Sequence, residues 1–164
     1  MAHHQKPGLL VIGIGNSFRG DDAAGLLAAR LLKDLETDNT AIVEHSGEGA
    51  SLMEIWKGAD VVILIDAVSS GHPPGTIHRL DPIHNPLPAK MFQSSTHAFS
   101  LPQAIEMARA LAQLPPRLLV FGIEGSNFRP GATLSPEVSD ALPEVGRQVR
   151  EEVKNTRAEI ENGE

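Results

Sequence analysis

The segment "DVVILIDAV", residues 60–68, limits the possible folds more than any other part of the chain. Its apolar residues are consecutive, not alternating, so it predicts a strand buried on both faces, as in a parallel sheet covered by helices on either side. "GLLVIGIG" and "RLLVFGIEG" have the same character, and "TAIVEHS" reads as a further strand. Helical segments stand between them. Ala24, Leu27, Ala28, Leu31 and Leu35 recur at spacings of 3 and 4, which predicts one helix face. "SLMEIWKGAD" predicts a short helix. "AFSLPQAIEMARALAQL" predicts another, with Ser100 as its cap and Pro102 in its first turn. "LSPEVSDALPEVGRQVREEVKNTRA" predicts the last, bent near Pro143. "GHPPGTIHRLDP" reads as a loop with a short strand around Ile77. The fold class is therefore α/β, a three-layer arrangement with a mostly parallel twisted sheet between helices. At 164 residues a single domain, 1–164, is expected, with its core over about 8–155 and flexible polar ends.

In such sheets ligands bind beyond the carboxyl ends of the strands. Asn16, Asp21 and Asp22 follow the first strand. Glu44, His45 and Glu48 follow the second, Asp66 closes "VVILID", and Glu124 closes "LLVFGIE". His97 lies in "QSSTHAFS", just ahead of a helix. All are candidates for one shared edge. Asp66 stands out, because a carboxylate closing so apolar a run needs a partner. Of the pair Asp21 and Asp22, a cap at a helix start explains one and leaves the other for different work. His3, His4, His72, His78 and His84 lie in a terminus or in proline-rich loops and are expected to be solvated.

The stretch "GIGNSFRGDDAAG" invites a phosphate-loop reading, but the spacing fails. Phe18 stands where a GxGxxG turn has its last glycine, and no Lys-Ser/Thr pair follows. Gly15 instead predicts close backbone approach, and Asn16 a side-chain bridge across the turn or a hydrogen bond to a substrate peptide or a metal-bound water. Two carboxylates and an imidazole from three loops make a reactive metal site with open positions for water or substrate. Oxygen and nitrogen donors suit zinc, nickel or manganese. With no cysteine, zinc knuckles, disulfides and thiol nucleophiles are excluded. No GxSxG elbow supports Ser94 or Ser95 as a nucleophile. The formal net charge of −7 argues against nucleic acid and membrane surfaces as partners. The sequence shows no signal peptide or long apolar span, and a cytoplasmic monomer is expected.

Four segments in register, "GIGNSFRGDDAAG", "VVILIDAVSSG", "SSTHAFSLPQAIEMA" and "VFGIEGSNFRPGATLSPEV", resemble the hydrogenase maturation proteases, from about Leu9 to Val149. The resemblance implies an endopeptidase that clips a C-terminal extension from the large-subunit precursor of a [NiFe] hydrogenase after nickel insertion. It implies nickel delivered with that substrate as the recognition signal, although another divalent metal can occupy such a site in vitro. It also implies Asp22, Asp66 and His97 as the metal-contacting and catalytic residues, in an aspartic-type site. Aspartate at 22 stands where many members carry glutamate, which keeps Asp21 in competition for that role. "EHSGEG" stands where many carry Asp followed by glycines. The rival readings are a metal-dependent hydrolase of another substrate and a nickel-binding checkpoint or chaperone without proteolysis.

Overall fold

The computed structural model describes residues 6–93 and 97–163. Five strands form one sheet: β1 (Leu9–Ile14), β2 (Thr40–His45), β3 (Val61–Val68), β4 (Ile77–Leu80) and β5 (Arg117–Glu124), in the order β2-β1-β3-β5-β4. β2, β1, β3 and β5 are parallel neighbours, with Ile12 opposite Leu64 and Leu64 opposite Val120. β4 runs antiparallel to β5 at one edge. The helices are α1 (Ala24–Leu31), α2 (Gly49–Trp56), α3 (Leu101–Ala110) and α4 (Pro136–Glu161).

Strand periodicity divides the core in two. Val61, Ile63, Ile65 and Ala67 of β3 face α1 and α4 together with Leu119, Phe121 and Ile123 of β5. Val62, Leu64 and Val68 pack with α2 and α3, against Leu52, Trp56, Ala104 and Ile105. The expected three layers are present.

Four details differ from the sequence reading. Asp66 does not end its strand, since β3 continues through Ala67 and Val68 with every residue buried. The buried face of α1 is turned by one residue from the predicted one and runs through Gly25, Ala28, Ala29 and Leu32, which leaves Leu31 50% exposed. α2 begins two residues early, at Gly49, because the Glu48 carboxylate caps it by accepting the N–H groups of Ala50 (2.9 Å) and Ser51 (2.8 Å). α4 runs to Glu161, three residues past the predicted end at Ala158, and Glu159 in its last turn pairs with Arg117 of β5 at 2.6 Å. Among the described residues no helix is long and apolar enough to cross a membrane.

Glycines set how closely α1 sits on the sheet. A Cβ on Gly25 would lie 2.2 Å from the Ile65 carbonyl oxygen and 2.3 Å from that of Ile14. A Cβ on Gly15 would lie 2.0 Å from the Asp22 carbonyl oxygen. Only residues without side chains let the 3-10 turn Gly20–Ala23 and the start of α1 rest on the ends of β1 and β3. The turn therefore serves helix-on-strand contact, not phosphate binding.

Candidate active site

A cavity of about 500 Å³ opens at the carboxyl ends of β1, β2 and β3. Asn16, Asp22, Glu44, His45, Asp66 and His97 line it, as expected, and Gly15 forms part of its wall.

Asp66 occupies the register position on β3 between Leu64 and Val68, where the strand's α2/α3 face would otherwise continue with an apolar side chain. It is 9% exposed. Burial, and then the charge of Asp22 beside it, push its carboxyl well above the usual carboxylate range, against a hydrogen bond from the Ala67 backbone. Burial also raises Asp22, opposed by the charges of Arg19 and His97. Arg19 Nη1 stands 3.8 Å from Asp22 Oδ2. The cavity thus holds two desolvated, mutually repelling carboxyl groups, an electrostatic setting that favours a bound cation.

His97 Nε2 lies 3.0 Å from the Ser46 carbonyl oxygen. Because a carbonyl only accepts, Nε2 donates in this contact, and a metal would be ligated through Nδ1. Metal-ligating histidines are commonly oriented in this way. Asp22, Asp66 and His97 share the cavity without closing tightly. Among the described residues, the group of three donors drawn within 4.8 Å of one another is His72, His78 and Glu124, not this trio.

Asp21 and Asp22 have separate roles. Asp21 is fully buried and faces away from the cavity, toward the connection between β5 and α4. It accepts the N–H groups of Ser126 (2.7 Å), Asn127 (3.0 Å) and Ser135 (2.7 Å), and the Ser135 hydroxyl at 2.9 Å. Burial works against its charge, but these donors outweigh it and hold the group below the ordinary range. Ser135 is the N-cap residue of α4, so Asp21 anchors the start of a helix other than its own.

Other candidates resolve differently. His45 lines the cavity but is tied into its own loop. Nδ1 accepts the Gly47 N–H at 2.9 Å, and Nε2 donates to Ser51 Oγ at 2.9 Å. Burial lowers its pKa and favours this neutral form. Glu48 is the cap of α2 and does not line the cavity. Glu124 also leaves the group and hydrogen-bonds Ser70 and His78 instead. His78 is consequently not the solvated residue expected of its loop, since its side chain is 15% exposed. Asn16 Oδ1 accepts the Phe18 N–H at 2.9 Å and bridges the turn as predicted. Ser94, Ser95, His3 and His4 lie outside the described residues. Sequence reasoning missed Arg19, which stands beside Asp22, and it missed that Glu44 pairs with Arg30 (2.7 Å) in the cavity lining. Arg19 had a signal in the sequence, standing three residues before Asp22 in a helical turn.

The family model described as hydrogenase maturation protease matches residues 26–152. The chain belongs to the hydrogenase maturation protease family. The match begins just after the glycine turn and includes Asp66, His97 and Glu124. A hydrogenase expression/formation protein, HupD of Thiocapsa roseopersicina, is 27% identical over 83% of this chain, which spans 63% of that relative's length. The Escherichia coli hydrogenase maturating endopeptidase HybD is 24% identical and shares the fold with a TM-score of 0.77, over 90% of this chain and 93% of that one. An endopeptidase from Escherichia coli, solved in solution, is 26% identical with a TM-score of 0.75, over 86% and 88% of the two chains. The resemblance read from four sequence segments and the α/β sandwich read from periodicity both hold.

Proposed function

We propose that this chain is the endopeptidase that removes a C-terminal extension from the large-subunit precursor of a [NiFe] hydrogenase, and that it reads nickel already inserted in that precursor. One observation carries the reading. Asp22, Asp66 and His97, from three separate elements, face one cavity in which two desolvated carboxyls repel each other. In this reading nickel arrives as part of the substrate. Two carboxylate oxygens and His97 Nδ1 form a donor set suited to it, and its approach relieves the repulsion between Asp22 and Asp66. A nickel ion would supply polarisation of the scissile carbonyl or of water. Asp66, which keeps a proton more readily than an ordinary carboxyl, is suited to exchange one with the attacking water or the leaving amine. Ser46 orients His97, and Asn16 and Gly15 shape the wall along which the peptide lies. The aspartic-type character rests on these two carboxyls.

The test is mass spectrometry of purified precursor, nickel-loaded and nickel-free, incubated with the protein. Loss of a C-terminal peptide from the loaded form alone is expected. Cleavage of both forms at equal rates refutes nickel sensing, and binding without mass change refutes the peptidase reading in favour of a checkpoint protein.

A further inference from the structure

Away from the cavity, two imidazoles meet the same carboxylate. Glu124 ends β5 and is 1% exposed. Its backbone is pinned on both sides, N–H to the Thr76 carbonyl at 2.9 Å and carbonyl to the Gly75 N–H at 2.8 Å. Its Oε2 accepts the Ser70 N–H at 3.2 Å, and the Ser70 hydroxyl donates to Oε1. His78 Nε2, from the edge strand β4, lies 3.0 Å from the same Oε1. His72 Nδ1, from the β3–β4 connection, lies 3.7 Å from it. The two rings meet edge to face, 80° apart with centroids at 4.8 Å. A hydrogen-bonded pair with His78 accounts for the buried carboxylate, but not for a second imidazole turned toward the same oxygen.

We propose that His72, His78 and Glu124 form a binding site for a divalent first-row transition cation of the zinc class, separate from the catalytic cavity. The three donor atoms lie within 4.8 Å of one another. A tetrahedral ion with bonds of about 2.0–2.2 Å needs donors roughly 3.3–3.5 Å apart. The two separations at Glu124, 3.0 and 3.7 Å, bracket that spacing. His72 must move inward, and it can, because it stands on a loop with its side chain 58% exposed. Two imidazoles and one carboxylate favour zinc, nickel or copper over calcium or magnesium, which take oxygen ligands. Ser70 supplies the outer hydrogen bonds that hold a ligating carboxylate in place, and it also touches His72 Nδ1 at 2.8 Å. The exposed side of His72 leaves a route for the ion and a coordination position for water. Bound there, the ion ties the β3–β4 connection and the edge strand to β5.

Zinc titration calorimetry on the full-length Asp22→Asn/Asp66→Asn double variant tests this, because that protein lacks both cavity carboxylates. One equivalent of Zn²⁺ should still bind and raise the melting temperature. Adding His72→Ala should weaken binding at least tenfold and remove the thermal shift, while circular dichroism stays unchanged because residue 72 is an exposed loop position. His78→Gln should do the same. His3 and His4 are present in every variant and cannot produce such a loss. Absence of a bound equivalent in the double variant, or affinity unchanged by His72→Ala, overturns the proposal. Neither result depends on the peptidase reading.

Discussion

Replacing Asp66 with asparagine separates ligation from structural satisfaction. The substitution keeps the shape and the acceptor for the Ala67 N–H, and it removes the group whose ionisation would set a second charge beside Asp22. In chelator at neutral pH the variant should match the parent within about 0.5 kcal/mol or exceed it, because nothing buried loses a partner. The pH dependence should differ more clearly. The folded state holds a proton on Asp66 that the unfolded chain releases, so the parent's stability falls as pH rises from the ordinary carboxylate range through the raised value. The variant should lack that decline. Nickel at a hundred times its dissociation constant should stabilise the parent by about 2.7 kcal/mol. For a chain of 164 residues that corresponds to roughly 5–11 °C in melting temperature. Asp66→Asn should lose most of this shift and all cleavage. Thermal melts with chelator and with nickel, both proteins carrying His72→Ala to keep the second cation out, provide the comparison. Destabilisation of the variant by more than about 1.5 kcal/mol in chelator, with an undiminished nickel shift, would show Asp66 to be a structural acceptor and refute the reasoning.

Asp21→Asn should destabilise by on the order of 3 kcal/mol in urea melts, since an amide cannot accept every donor now aimed at the buried carboxylate. The parent should lose that increment as pH falls through the depressed pKa of Asp21, whereas the variant should not. Asn16→Ala should abolish precursor cleavage with at most about 1 kcal/mol lost, because its bond to Phe18 is exposed; equal loss of both would make it structural. Gly25→Ala should cost about 1–3 kcal/mol and also impair cleavage, as backbone carbonyls 2.2 and 2.3 Å from the new methyl force α1 off the sheet. An unchanged melt would show that α1 has room to move.

The sequence revealed the layers because both sheet faces are covered, which writes the central strands as unbroken apolar runs. It revealed Asp66 for the same reason, as a charge within such a run. It did not reveal which aspartate of the pair enters the cavity. That choice depends on N–H groups of residues 126–135, more than a hundred positions away in the chain. Nor could spacing show that Glu124 turns from the cavity toward His72 and His78. The Glu124 side chain meets His78 of the edge strand, and strand order is fixed by tertiary packing, not by local pattern.

Asp21 and Asp22 are chemically identical, and only their phase along the backbone distinguishes them. One turn of the chain directs the first into a fully bonded pocket and the second toward the cavity. A single residue inserted between Gly20 and Asp21 would keep both acids yet shift each one place along the backbone, so that neither meets its present partners. At this point contour length is constrained as tightly as residue identity, because a shift of one residue displaces both acids at once.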